Sequence, residues 1–83
     1  MDLTLTNDFH NTEVTIRAKS LPWRVTPSQQ RRIDRALCGM SDCRCGTIRG
    51  PQYHEGRRLD LAWDYGQQGG AVLVIDYEEE AQQ

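Results

Sequence analysis

Residues Thr26–Gly46 read TPSQQRRIDRALCGMSDCRCG, and the fold turns on how this stretch is read. Thr26 carries the hydroxyl of a helix N-cap. Pro27 falls at the first helical position, where its missing N–H costs nothing, and Gln29 completes a capping-box spacing. Ile33, Ala36, Leu37 and Met40 recur at three- and four-residue spacing and form one apolar stripe. Arg31, Arg32, Asp34 and Arg35 cover the other sides. Gly39 is a natural stop. A helix of about three turns does not persist alone, so its stripe has to pack on a sheet.

The sheet is legible on both sides of that helix. Asp2–Thr6 alternates, with Leu3 and Leu5 on one side and Thr4 and Thr6 on the other. Thr12–Ala18 alternates again, with Val14, Ile16 and Ala18 facing one way. Asn7, Asp8, His10 and Asn11 supply turn chemistry between the two runs. Phe9, in the same link, is expected to fold back onto the core. Ser20–Val25 reads as a connection, with Pro22 holding Leu21 extended and Trp23 as a half-buried anchor. Residues 41–56 read as an irregular loop with a short extended piece at Thr47–Arg49. Arg57–Tyr65 sets Leu59, Leu61, Trp63 and Tyr65 against Arg58, Asp60, Ala62 and Asp64. GQQGG at 66–70 is a hairpin loop. Ala71–Tyr77, AVLVIDY, is expected to be the most buried strand. The fold expected is α+β with the order ββαββ: a small antiparallel sheet of two hairpins with one helix packed on one face. One domain is expected over residues 1–77, with 78–83 an acidic, flexible tail.

A chain of 83 residues supports one domain and a small core, so dimerisation or a metal would help its stability. No apolar run approaches the ~20 residues a membrane span needs. MDLTLTNDF has neither a basic nor an apolar leader region, which gives the expectation of a cytoplasmic protein. In that compartment three cysteines, an odd number, are expected as thiols or metal ligands rather than disulfides.

Charge is segregated. All ten basic residues lie between Arg17 and Arg58, where the only acids are Asp34, Asp42 and Glu55. Asp60, Asp64, Asp76, Glu78, Glu79 and Glu80 fall in the last 25 positions. An acidic strand face built from Asp60, Asp64, Asp76, Glu78 and Glu79 mimics a phosphate backbone and complements a basic groove on a partner. The same acids serve equally to blunt an edge strand against aggregation. A basic face of Arg31, Arg32, Arg35, Arg44 and Arg49 offers phosphate contacts to nucleic acid. It reads equally as a solvated helix face with ion pairs.

Cys38, Cys43 and Cys45 have the spacing C-x4-C-x-C. Zinc needs four ligands, and His54 or His10 would have to be the fourth. The competing readings are buried thiols or an incidental disulfide. A nucleophilic cysteine is disfavoured, because the negative end of the helix dipole opposes a thiolate and no base stands beside it. The expectation is therefore a non-enzymatic protein with no required cofactor.

TLTNDFHNTEV at Thr4–Val14 and SQQRRIDRALCG with the C-x-C-G that follows, Ser28–Gly46, resemble a family of short proteins encoded by bacteriophages and prophages. The resemblance covers the first half of the chain and fades after Gln52. It implies a mobile-element origin and a bacterial cytoplasm, and carries no functional residue over. Proteins of that context include binding inhibitors of host defence complexes, anti-CRISPR proteins among them. The function expected is a protein-binding inhibitor of a bacterial defence or nucleic-acid-handling complex. The alternative is a small DNA- or RNA-binding regulator with a basic helix, stapled by zinc.

Overall fold

The computed structural model describes residues 1–39, 46–66 and 70–79. The helix α1 spans Pro27–Leu37, starting where Thr26 Oγ1 accepts the N–H of Gln29 at 3.3 Å. It ends at Cys38, with Gly39 in the left-handed region at φ +74°. The Thr12 hydroxyl donates to the Leu37 carbonyl, which would otherwise be left open at the helix end. Ile33 and Leu37 are fully buried. Ala36, expected in the same stripe, is exposed. Residues four apart are stacked along one line of a helix, and this narrow contact buries that line alone.

Strands β1 (Asp2–Asn7) and β2 (Thr12–Arg17) form an antiparallel pair that sets Leu3 against Ile16 and Leu5 against Val14. Reciprocal bonds between Met1 and Ala18, at 2.7 and 2.9 Å, extend it by one step. The second sheet has the order β3-β6-β5-β4, with β5 (Arg57–Tyr65) and β6 (Ala71–Tyr77) joined as a hairpin. Its outer members are two-residue strands, β3 (Trp23–Arg24) beside β6 and β4 (Tyr53–His54) beside β5.

The protein is thus a small α+β fold with one helix and two antiparallel sheets among the described residues. The expected pairing of two hairpins in one sheet does not occur. Segments expected as a connection and a loop supply the edge strands instead: Val25 N–H donates to the Leu73 carbonyl, and Leu59 N–H to that of Gln52. The two sheets meet through side chains. Leu3, Leu5, Ile16 and Ala18 of the hairpin side pack with Ile33 and Leu37 of α1 and with Val25, Leu59, Leu73 and Ile75.

Residues 46–52 are held to β1 by two buried polar side chains. Asn7 Oδ1 accepts the N–H groups of Phe9 and His10, both at 2.9 Å, while its Nδ2 donates to the carbonyls of Gly46 and Thr47. Gln52 bonds both backbone groups of Thr6. Thr47–Arg49, expected to be extended, touches β1 through a parallel bridge between Asn7 and Arg49. Phe9 does not return to the core. It is 66% exposed, edge-on to His10 and beneath the Arg49 guanidinium, because the Asn7 bonds hold the turn outward.

Gly50 adopts φ +84°, and a Cβ there would collide with the Asp8 carboxylate. Gly50→Ala is expected to lower folding stability by roughly 1–2 kcal/mol, read by thermal or urea unfolding. An unchanged midpoint would show that this turn relaxes freely.

Candidate functional site

Side chains alternate between faces along a strand, and the register of β5 and β6 sorts the acids. Leu59, Leu73 and Ile75 point into the core, so Asp60, Asp64 and Asp76 point outward. Arg58, Ala62, Val72 and Val74 share that outer face. Arg24 of β3, opposite Val74, joins them. Among the described residues no buried hydrophobic residue lies on this side, which faces solvent.

Four acids of the expected partner-binding set, Asp60, Asp64, Asp76 and Glu78, lie on or beside this face. Asp64 meets Arg24 at 2.6 Å, and Glu78 meets Arg58 at 3.1 Å. All four side chains are more than half exposed, so each pair contributes at most about 1 kcal/mol. Glu79 is exposed. Asp60 and Asp76 sit directly opposite each other across the two central strands. Asp76 Oδ1 accepts the N–H of Tyr77 at 2.8 Å, and among the described residues no cation pairs with either carboxylate. The outer face is therefore a mixed row, with arginines at its flanks and two unneutralised carboxylates at its centre.

The basic set is dispersed. Arg31, Arg32 and Arg35 are exposed on α1. Arg49 lies on the loop, with its guanidinium 5.5 Å from the Phe9 ring centroid. Arg44 is outside the described residues.

Of the readings open for the cysteines, Cys38 follows that of a disulfide rather than a free thiol. Cys38 is disulfide-bonded, and Cys43 and Cys45 lie outside the described residues. A sulfur in a disulfide offers no thiolate to zinc. Cys38 Sγ lies 3.7 Å from His10 Nε2. His54 stands on β4, its ring 6.1 Å from that of Tyr77, whose face also carries the Arg57 guanidinium at 3.9 Å. Among the described residues no three potential ligands gather for a metal.

One feature of β5 escaped the sequence reading. Trp63 and Tyr65 stand on its core-facing side, yet are 50% and 78% exposed. Nine strand residues extend about 30 Å, whereas eleven helical residues extend about 16 Å. The apolar stripe of β5 outruns its cover. Comparing the two lengths would have revealed this. Where cover fails, Leu61, Trp63 and Leu73 form a cleft of about 400 Å³ with Ile48 and with Gln30 and Asp34 of α1.

No known protein family, curated protein or solved structure matches this chain. Among the described residues no helix is long and apolar enough to cross a membrane. Fold and surface together define a small α+β domain with an open ionic sheet face.

Proposed function

We propose that this protein is a non-enzymatic binding module that docks the outer face of its four-stranded sheet onto a basic surface of a larger protein. The observation that carries this reading is the opposition of Asp60 and Asp76 on an uncovered face. Like charges directly opposite each other destabilise a sheet. A basic groove relieves that repulsion, with Asp64 and Glu78 extending the contact on either side. Grooves that hold nucleic acid are basic, so a nucleic-acid-handling complex is the natural partner class. Together with the phage resemblance, this favours an inhibitor of a bacterial defence complex, of the anti-CRISPR kind.

Asp60→Lys separates docking from folding. It should raise stability by roughly 0.5 kcal/mol, since Lys then opposes Asp76, while losing the partner. Affinity capture from bacterial lysate with mass spectrometry reads the second effect. Recovery of one protein complex by the wild type, released by salt and lost in Asp60→Lys, is the expected result. Equal recovery by both proteins would sink the docking face, and recovery of nothing would sink the module.

A second reading rests on the exposure of Arg31, Arg32 and Arg35 on one helix: a small DNA- or RNA-binding regulator. It requires binding that weakens steeply with salt and disappears when the three arginines are neutralised. A flat mobility-shift titration at low salt removes it. Its zinc-stapled form is disfavoured by the Cys38 disulfide.

A further inference from the structure

Among the described residues the backbone of β5 has an open edge. Leu59 N–H donates to the Gln52 carbonyl on the β4 side, and the Arg58 carbonyl accepts Glu78 N–H on the β6 side. In an antiparallel ladder these directions alternate along the strand. The N–H and C=O groups of Leu61, Trp63 and Tyr65 therefore point away from β6. β4 pairs only with Arg57 and Arg58, so among the described residues no strand reaches them. The same three residues carry the partly and fully exposed end of the apolar stripe. An unpaired strand edge bearing aromatics, with no Lys or Pro to blunt it, is a template for pairing with another strand.

We infer that a second copy of this chain covers this edge, the two β5 strands pairing antiparallel about a two-fold axis through Trp63. Charge and space select that register. Centring on Ala62 sets Asp60 against Asp64 twice and drives Tyr65 onto Leu59, whose edge Gln52 already occupies. Centring on Asp64 sets two carboxylates face to face at the axis. Centring on Leu61 pushes residues 64 and 65 into the place of β4. Centring on Trp63 fills the open stretch from 61 to 65 and opposes no like charges. Trp63 then faces Trp63 of the other copy, a favourable aromatic cross-strand pair. Leu61 faces the other copy's Tyr65, which delivers the phenol ring to the cleft that Leu61 and Trp63 line. Ala62 faces Asp64 of the other copy on the outer side. The two sheets become one continuous sheet, and their outer acidic faces join into one surface. This pairing stands on the edge geometry alone and is independent of the docking proposed above.

The test is the solution mass as a function of concentration, by sedimentation equilibrium, on the full chain. The wild type should be a reversible dimer. Ala62→Arg adds two Arg–Asp pairs across the axis and should tighten dimerisation roughly tenfold, whereas Ala62→Asp should weaken it by a similar factor. Trp63→Lys places two ammonium groups at the axis and should leave a monomer. Its circular dichroism should stay close to wild type, since Trp63 is half exposed, and its melting should be independent of concentration where that of the wild type rises with concentration. A wild type that stays monomeric to millimolar concentration overturns the inference, as does a monomer that captures a foreign strand there. Shifts of the same sign in Ala62→Arg and Ala62→Asp overturn the register and the proposal with it.

Discussion

Gln52→Ala should lower folding stability by about 3 kcal/mol, the largest loss expected of any polar substitution in the protein. Gln52 is 3% exposed and its amide is fully used. Oε1 accepts from the N–H and hydroxyl of Thr6, at 2.8 and 3.2 Å. Nε2 donates to the carbonyls of Thr6, Arg49 and Gly50, at 3.0 to 3.2 Å. Truncation leaves the Thr6 N–H without its partner and the Thr6 carbonyl with only the longer bond from the Arg49 N–H at 3.3 Å, and a buried orphan costs about 1–3 kcal/mol. A domain of this size has roughly 4–12 kcal/mol in hand, so the loss is readily seen in a urea titration. Gln52→Glu sharpens the test. A carboxylate facing three carbonyl oxygens is worse than a methyl group, and its proton affinity rises in that setting. The native state of that variant binds more protons than the unfolded state, so its stability falls as pH rises through the carboxyl range. At low pH the protonated acid donates to a carbonyl and recovers part of the loss. A Gln52→Glu variant with wild-type stability at neutral pH would show that loop 46–52 is not pinned to β1 in this way.

The same residue marks where sequence reading stopped. Gln52 lies in a stretch without apolar periodicity, and nothing local distinguishes a buried amide from a solvated one. Asn7 was read as turn chemistry, which it is, but its Nδ2 reaches residues 46 and 47, far away in sequence. Long-range polar pegs leave no periodic trace. Elements with a period did leave one. β5 begins and ends where its alternation does, β6 where its continuous apolar run does, and α1 begins at its cap. β3 and β4 are two residues each, shorter than one cycle of alternation that could be recognised, and each exists because a hairpin edge lies beside it. That is why one sheet was expected and two were found. The candidate surface divides in the same manner. Period two put Asp60 and Asp64 on one face of β5 from the sequence alone, and the register of the hairpin adds Asp76. The arginine partners of Glu78 and Asp64 come from segments about 20 and 40 residues away in sequence, and only the fold brings Arg58 to Glu78 and Arg24 to Asp64.

Ile75→Ala should cost about 3 kcal/mol, and Val74→Ala less than about 1 kcal/mol, although the two are adjacent in the central strand. Ile75 is fully buried, opposite Trp23 of β3 and Leu61 of β5, in the cluster that includes Ile33 and Leu37 of α1. Removing three of its carbons leaves a cavity that neighbours on two strands and a helix cannot all collapse to fill. Val74 points to the outer face between Arg24 and Ala62, where water replaces a lost methyl group at little cost. Its half-buried state comes from the arginine stem and the flat sheet, not from a covering layer. The pair of variants therefore measures whether the sheet has one covered face or two. AVLVIDY alone leaves that open, since a continuous apolar run also fits a strand buried on both faces. Equal losses for Ile75→Ala and Val74→Ala would mean that the outer face is covered. Asp60 and Asp76 would then oppose each other inside a contact already made, and no surface would remain there for a basic partner. Unequal losses keep that face open, with its two carboxylates available to whatever cation approaches.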